Sequence, residues 1–145
     1  MNIRSFALLL ALGFCQLLTA QTAQSKDAAD KEVRKATEVL IAKYQLNADQ
    51  SKQVYTVLKR KHRNMAEIAP LMSTDRALYN NKCLQVQKST LSGIRRVLNT
   101  KEQVTQFQKT QTDMRTLREA KRKEWSRKNV AREELDAVLL EIYAE

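Results

Sequence analysis

One short pattern occurs twice in the chain, as Asn47-x-x-Gln50-x-x-Gln53-Val54 and as Thr100-x-x-Gln103-x-x-Gln106-Phe107. Asn or Thr followed three residues later by Gln is a capping box, which marks the start of a helix. The first side chain accepts a hydrogen bond from an unpaired main-chain N–H, and the Gln side chain accepts one from the N–H of the capping residue. We therefore predict two helices that begin at equivalent signals 53 residues apart.

A leucine lies shortly before each copy of the pattern, and we interpret the whole set as architectural. Losing one cap is expected to cost about 1 kcal/mol. Function is then expected to suffer only because the fold loosens. The predicted helix-capping residues and their leucines are Leu46, Asn47, Gln50, Leu98, Thr100 and Gln103.

The N-terminus has the pattern of a secretory signal peptide. Arg4 supplies a positive charge, residues 6–18 are almost wholly apolar, and Thr19 and Ala20 are small. A membrane anchor is the alternative, but these thirteen residues are fewer than the roughly 20 needed to span a bilayer. We expect residues 1–20 to be cleaved, so that a secreted chain of residues 21–145 remains.

The composition favours a single all-α domain. Two Gly and one Pro in 145 residues leave few residues for β-hairpins, tight turns or phosphate-binding loops. The remaining residues 21–145 are enough for one domain with a modest core. Charged residues make up 29% of the chain and aromatic residues 6%, which indicates helices with broad hydrated faces.

The chain is strongly basic, with a net charge of +10. Cleavage of the signal peptide removes one basic residue, Arg4, and no acidic residue. Such a charge predicts attraction to anionic partners in general, whether acidic protein segments, lipid head groups or nucleic acid. Secretion makes nucleic acid the least expected of these partners.

Two cysteines occur, and they cannot form an internal disulfide in the secreted chain. Cys15 lies in the signal peptide, where a lipoprotein signal would modify it, but Phe14 stands where such a signal requires a small residue. Cys83 is then the only remaining thiol. We expect it to be buried as a small hydrophobic residue, with an intersubunit disulfide or a reactive thiol as alternatives.

Apolar spacing predicts four or five amphipathic helices arranged in hairpins. The first runs from Lys26 to Tyr44, and the second from Asn47 to a stop at Pro70. Ser73-Thr74-Asp75 is expected to start a third helix that ends near Leu98. The predicted inward-facing residues are Val33, Thr37, Leu40, Ile41 and Tyr44, then Val54, Val57, Leu58, Met65 and Ile68, then Leu84, Leu91, Ile94 and Leu98.

The third helix contains Gly93, which weakens a helix by about 1 kcal/mol relative to alanine. Close approach of a second helix is a possible reason for a glycine there. The fourth helix starts at Thr100, and a final segment either continues it or begins after a break near Asn129. Their predicted inward-facing residues are Val104, Phe107, Met114, Leu117 and Trp125, then Leu135, Val138, Leu139, Ile142 and Tyr143.

The C-terminal segment is acidic, in contrast to the basic helix before it. We expect its apolar stripe to pack on the helical bundle; self-association and a displaceable cover over the basic face are the alternatives. Binding to an anionic membrane is disfavoured because interfacial helices normally carry Lys or Arg on their polar side. The acidic residues are Glu133, Glu134, Asp136, Glu141 and Glu145.

Catalytic, cofactor and metal sites have little support in the sequence. The chain has one histidine, no Gly-rich loop, and no paired carboxylates on an apolar surface, so we predict neither an enzyme nor a bound cofactor. His62 is interpreted as a solvated surface residue, with a pH-responsive switch as the alternative. His62 and Met65 share a helix turn, but a soft-metal site needs several converging ligands.

Two basic runs are the candidate binding residues. Consecutive charges point around most of a helix, so each run is either a solvated surface or part of a binding surface. Trp125 stands in the second run, and its spacing from Leu117 favours packing in the core. The candidate residues are Lys59, Arg60, Lys61 and Arg63 in the first run, and Lys121, Arg122, Lys123, Arg127 and Lys128 in the second.

The repeated pattern also carries a family resemblance. Leu46-Asn47-Ala48-Asp49-Gln50 matches Leu-Thr-x-x-Gln with Asn in place of Thr. Thr100-Lys101-Glu102-Gln103 keeps the Thr and the Gln, while the extra Asn99 displaces Leu98. With its signal peptide, helical composition, length and charge, the chain resembles the Spy/CpxP family of small periplasmic proteins, which carry two such motifs.

The resemblance implies helical subunits that pair as a thin, cradle-like antiparallel homodimer with a basic concave surface. It also implies a periplasmic protein of the envelope stress response that holds unfolded or aggregation-prone envelope proteins without ATP. One alternative is a regulatory adaptor that binds the acidic domain of a membrane stress sensor. Another is a basic envelope protein that binds anionic polymers.

Overall fold

A computed structural model describes residues 27–128 and 131–142; the predicted signal peptide, residues 1–20, lies outside these ranges. The described residues are helical and contain no strand, which confirms the all-α prediction. None of these helices combines the length and the apolar character needed to cross a membrane. The helices are α1 (27–44), α2 (Ala48–Ile68), α3 (Leu71–Thr74), α4 (Arg76–Val97), α5 (Lys101–Arg127) and α6 (Arg132–Glu141).

The predicted helix starts are confirmed for three of the long helices. Asn47 and Thr100 form complete capping boxes at the starts of α2 and α5. Asp75 caps α4 by accepting a 2.9 Å hydrogen bond from Leu78 N–H. The sequence did not predict the short helix α3, to which Ser73 and Thr74 belong, and there the Ser73 hydroxyl donates to Pro70 O at 3.2 Å.

The turn between α1 and α2 closes the first helical hairpin. Gln45 has φ 51°, in the left-handed region that few residues other than glycine adopt. The next residue, Leu46, donates its N–H to Ile41 O at 3.2 Å, which is the hydrogen bond of a Schellman helix end. Leu46 itself is buried, so this turn places the first leucine of the pattern in the core.

The core lies where the two copies of the pattern meet. It is formed by α1, α2, α4 and α5, and the Tyr44 and Phe107 rings pack in it with centroids 6.2 Å apart. Leu98, the second leucine of the pattern, is also buried there. The buried members of this core are Val33, Leu40, Tyr44, Leu46, Val54, Leu58, Ile94, Val97, Leu98 and Phe107.

Helices α2 and α4 run antiparallel and approach closely at Gly93. A Cβ atom at Gly93 would lie 3.0 Å from Val57 Cγ1 and 3.2 Å from Val57 Cγ2. The first carbon of any side chain at position 93 would already be in tight contact with the branched Val57 side chain, so there is no room for a residue larger than alanine. The prediction that this glycine permits close helix approach is therefore confirmed.

Two predicted stripes differ from the structure. Leu84 and Leu91 are only half-buried, because the buried face of α4 runs one position away, through Cys83 and Thr90. On α5, Leu117 is 49% exposed and its neighbour Arg118 is buried instead. Other predicted residues, Ile94, Leu98 and Phe107, are buried in the core, so the spacing was correct for part of each stripe and wrong at these positions.

The C-terminal segment forms a separate helix, α6, that packs against α4 and α5. Leu139 is buried, as predicted, while the predicted inward-facing Tyr143 lies outside the described residues. Cys83 is also buried, which confirms its interpretation as a small core residue. The Tyr79 hydroxyl forms a hydrogen bond with the Cys83 thiol, and this bond, with burial, raises the pKa of Tyr79.

Candidate functional site

The two capping glutamines form a reciprocal amide pair. Gln50 Nε2 donates to Gln103 Oε1 at 2.9 Å, and Gln103 Nε2 donates to Gln50 Oε1 at 3.1 Å. Their exposed fractions are 4% and 7%, so both amides are shielded from water. Hydrogen bonds in such an environment are stronger than in water and costly to leave unmade.

Each glutamine also donates hydrogen bonds to the segment that immediately precedes the other motif. Gln50 Nε2 lies 2.9 Å from Val97 O and 3.1 Å from Asn99 Oδ1. Gln103 Nε2 lies 3.4 Å from Gln45 O. Asn99, the extra residue that interrupts the second motif, therefore supplies an acceptor for the first. The glutamine pair joins the two helical hairpins and is an architectural element, in keeping with the interpretation of these residues as helix caps.

A groove between α1 and α2 contains most of the first basic run. We call it the cationic groove; its volume is about 710 Å³. Val33, which is buried, and Ala29 give it an apolar floor. It is lined by Asp27, Ala29, Asp30 and Val33 from α1 and by Thr56, Lys59, Arg60, His62 and Arg63 from α2.

Carboxylates of α1 face the basic side chains across this groove. Asp30 accepts hydrogen bonds from the Tyr55 hydroxyl and from Arg34 Nε, the latter at 2.7 Å. The Tyr55 bond first, and Arg34 second, lower the pKa of Asp30. His62 Nε2 lies 3.8 Å from Glu32 Oε2 at the exposed edge. The Tyr55–Asp30 and His62–Glu32 contacts hold α1 against α2 and leave the groove open to solvent.

The cations of α2 differ in their surroundings. The ammonium of Lys59 lies 5.7 Å from the centre of the Tyr55 ring. Arg60 reaches towards α4, where its Nη2 would lie 3.5 Å from a Cβ on Gly93. Lys61 is not among the residues that line the groove. The groove thus combines an apolar floor with positive charge, a combination suited to anionic amphipathic segments.

The second basic run does not join the first in one groove. Lys128 and Lys121 form ion pairs with Glu124 at 2.8 and 3.1 Å, and these hydrogen bonds, that of Lys128 first, lower the pKa of Glu124. Arg122 lines a different, smaller cavity between α4 and α6. Lys123 and Arg127 are exposed, and Trp125 is half-buried. The candidate basic residues are therefore divided between two places in the fold.

Asparagine at position 30 should weaken the contact between α1 and α2 in a pH-dependent way. The pKa of Asp30 is lowered from its ordinary value of 3.8, so the ionised Asp30 carboxylate stabilises the folded protein in full above pH 3.8. The contribution is lost as the pH falls through the lowered value. Asp30→Asn should therefore be less stable than the wild type at pH 7, and the difference should vanish in acid.

Urea unfolding of both proteins across a pH series would measure this difference. Asp113→Asn makes the same charge change at an exposed position of α5 and serves as the control. A difference between Asp30→Asn and the wild type that persists below the folded pKa would contradict the assigned role of the carboxylate.

The fold is that of a basic, all-α protein with a cationic groove between α1 and α2 and a smaller cavity beneath α6. No group of three metal-ligating side chains converges in residues 27–128 and 131–142. Comparison of the chain with protein-family models, with curated proteins and with solved structures finds no match. Functional inference therefore depends on the residues and their geometry.

Proposed function

We propose that this protein is a periplasmic, ATP-independent chaperone-like protein that binds unfolded or aggregation-prone envelope proteins. The observation that carries the proposal is the cationic groove, which joins an apolar floor to a basic edge and is open to solvent. The resemblance of the paired motifs to the Spy/CpxP family supports the same function and suggests a homodimer.

The chemistry of the groove fits a weak and general binder. Positive charge accelerates encounter with anionic segments, and the effect falls as salt screens it. An unfolded chain also exposes apolar side chains, which Val33 and Ala29 can accept at the floor. Further large apolar side chains are exposed on four different helices; they are Val39, Met72, Leu78 and Leu117. Such scattered contacts favour binding without strong selection for one partner.

Charge reversal in the cationic groove should impair protection of an unfolded client. The variant is Lys59→Glu, Arg60→Glu and Arg63→Glu, which removes the positive edge but leaves the apolar floor. A loss of about 1.4 kcal/mol in client binding would require tenfold more protein for equal protection. The measurement is light scattering by a chemically denatured client diluted without ATP.

The matched control is Lys82→Glu, Lys88→Glu and Lys109→Glu, which makes the same change in net charge at exposed positions outside the groove. This control should protect the client almost as well as the wild type. Equal loss in both variants would indicate a general polyanion binder. Absence of protection by wild-type protein in molar excess would overturn the proposed function.

A further inference from the structure

The C-terminal helix α6 has weak intrinsic support. Its first turn follows Ala131, which provides no side-chain cap, whereas side chains cap α2, α4 and α5. It has ten residues, fewer than the roughly 12–15 that an isolated helix needs to be even marginally stable in water. Its helical state therefore depends on packing against α4 and α5.

This packing involves few buried groups. Leu139 is 5% exposed, while Leu135, Val138 and Leu140 are only half-buried. Gln87 Nε2 on α4 donates to the main-chain carbonyl of Leu140 at 3.0 Å. A main-chain carbonyl is present in any helix, so this hydrogen bond does not depend on the side chain of Leu140.

A buried polar atom beneath α6 lacks a hydrogen-bond partner. The other amide atom of Gln87, Oε1, has no hydrogen-bond partner, although this side chain is more than nine-tenths buried and packs beneath α6. A cavity of about 210 Å³ also remains, bounded by Asn80, Leu84 and Arg122 on one side and by Asp136 and Leu139 on the other. A better-fitting helix could fill this space and donate to Oε1.

Charge complements shape at this surface. Glu134 and Asp136 are exposed on α6, and Asp136 shares the cavity with Arg122 of α5. Helix α6 thus presents two features to the basic helix α5, an acidic polar side and an apolar stripe. We define the α6 groove by Asn80, Leu84 and Gln87 of α4 and Arg122 of α5.

We propose that the α6 groove is a docking site for an acidic amphipathic helix of a partner protein, and that α6 occupies it until the partner displaces it. The partner would supply a longer or better-capped helix, fill the remaining cavity, and use one main-chain carbonyl to accept from Gln87. This inference concerns a different surface from the cationic groove and does not depend on the proposed chaperone activity.

A labelled peptide with the sequence of residues 131–145 is the probe, and fluorescence anisotropy with the full chain is the measurement. Leu139→Asp should release α6 from its groove. Because a site that is free only part of the time binds with proportionally lower apparent affinity, this variant should bind the peptide about tenfold more tightly than the wild type. Equal binding by the two proteins would overturn the proposal.

Two further comparisons separate recognition from loosening of the fold. Ala137→Pro breaks α6 without adding charge, and it should increase peptide binding as Leu139→Asp does. Its total helix content by circular dichroism should fall by no more than the ten residues of α6. A peptide with Glu134→Lys and Asp136→Lys should bind about tenfold more weakly. Equal binding of the two peptides would contradict the proposed acidic partner. If the wild-type protein is a dimer that the peptide dissociates, a second copy of this chain occupies the groove, and the proposal of a different partner protein is overturned.

Discussion

Replacement of Gln50 with alanine is expected to lower the free energy of unfolding by about 3 kcal/mol. The cap at the start of α2 loses one of its two hydrogen bonds, and Gln103 loses its amide partner in a site shielded from water. This is a larger effect than capping alone predicts, because each glutamine serves both its own helix and the other hairpin. Gln103→Ala should behave similarly.

Urea unfolding of the two single variants and the double variant would measure the coupling directly. The double variant should be more stable than the sum of the single effects predicts, since either substitution alone already removes the hydrogen bonds between the two amides. Gln53→Ala and Gln106→Ala are matched controls, because they replace the next glutamine of each repeat at exposed positions. These controls should change stability by less than about 0.5 kcal/mol. Additive effects at Gln50 and Gln103 would contradict the amide pair.

The substitution Gln50→Glu would distinguish the contribution of the helix cap from that of the Gln50–Gln103 amide pair. Its carboxylate can still accept from Asn47 N–H, but it cannot donate to Gln103 Oε1 or Val97 O. Loss of these donors in a buried site disfavours the charged form and raises the folded pKa of the new carboxyl. Gln50→Glu should therefore be destabilised at pH 7 and should recover part of its stability as the pH falls.

Leucine at Gly93 is expected to destabilise the protein by about 3 kcal/mol through overpacking between α2 and α4. Even the first added carbon would meet the Val57 methyl groups at 3.0 and 3.2 Å. The remaining carbons of leucine would force α2 and α4 apart. Thermal or urea unfolding would measure the loss.

Gly93→Ala and Val57→Ala provide the test of mechanism. Alanine gains about 1 kcal/mol in helix propensity over glycine, but here that gain is opposed by the tight contact with Val57. Gly93→Ala should therefore be better tolerated in a Val57→Ala background than in the wild type. If the effect of Gly93→Ala is the same in both backgrounds, the close contact does not determine the choice of glycine.

Local signals in the sequence predicted the helix starts well. Capping boxes at Asn47 and Thr100, and the carboxylate of Asp75, act on main-chain N–H groups within three residues of themselves. Such short-range interactions do not depend on the rest of the fold. The all-α class followed for a similar reason, since a chain with so few turn-forming residues favours helices throughout.

Choice of the buried face was less predictable. Leu117 matches the helical spacing but is exposed, whereas its neighbour Arg118 is buried. Spacing identifies which side chains share a face, but the position of a second helix decides whether that face is covered. The same limit applies to the basic runs, because the sequence could not show that Lys59 and Arg122 would line different cavities.

The sequence by itself determined the helical class and the capping boxes at the two motifs, and it indicated close helix approach as one reason for Gly93. Each follows from interactions over a few residues or from the absence of a side chain. Only the tertiary structure paired Gln50 with Gln103 and placed α6 over Gln87. These contacts join residues 53 positions apart, so local sequence signals do not specify them and only the packing of the helices brings the groups together.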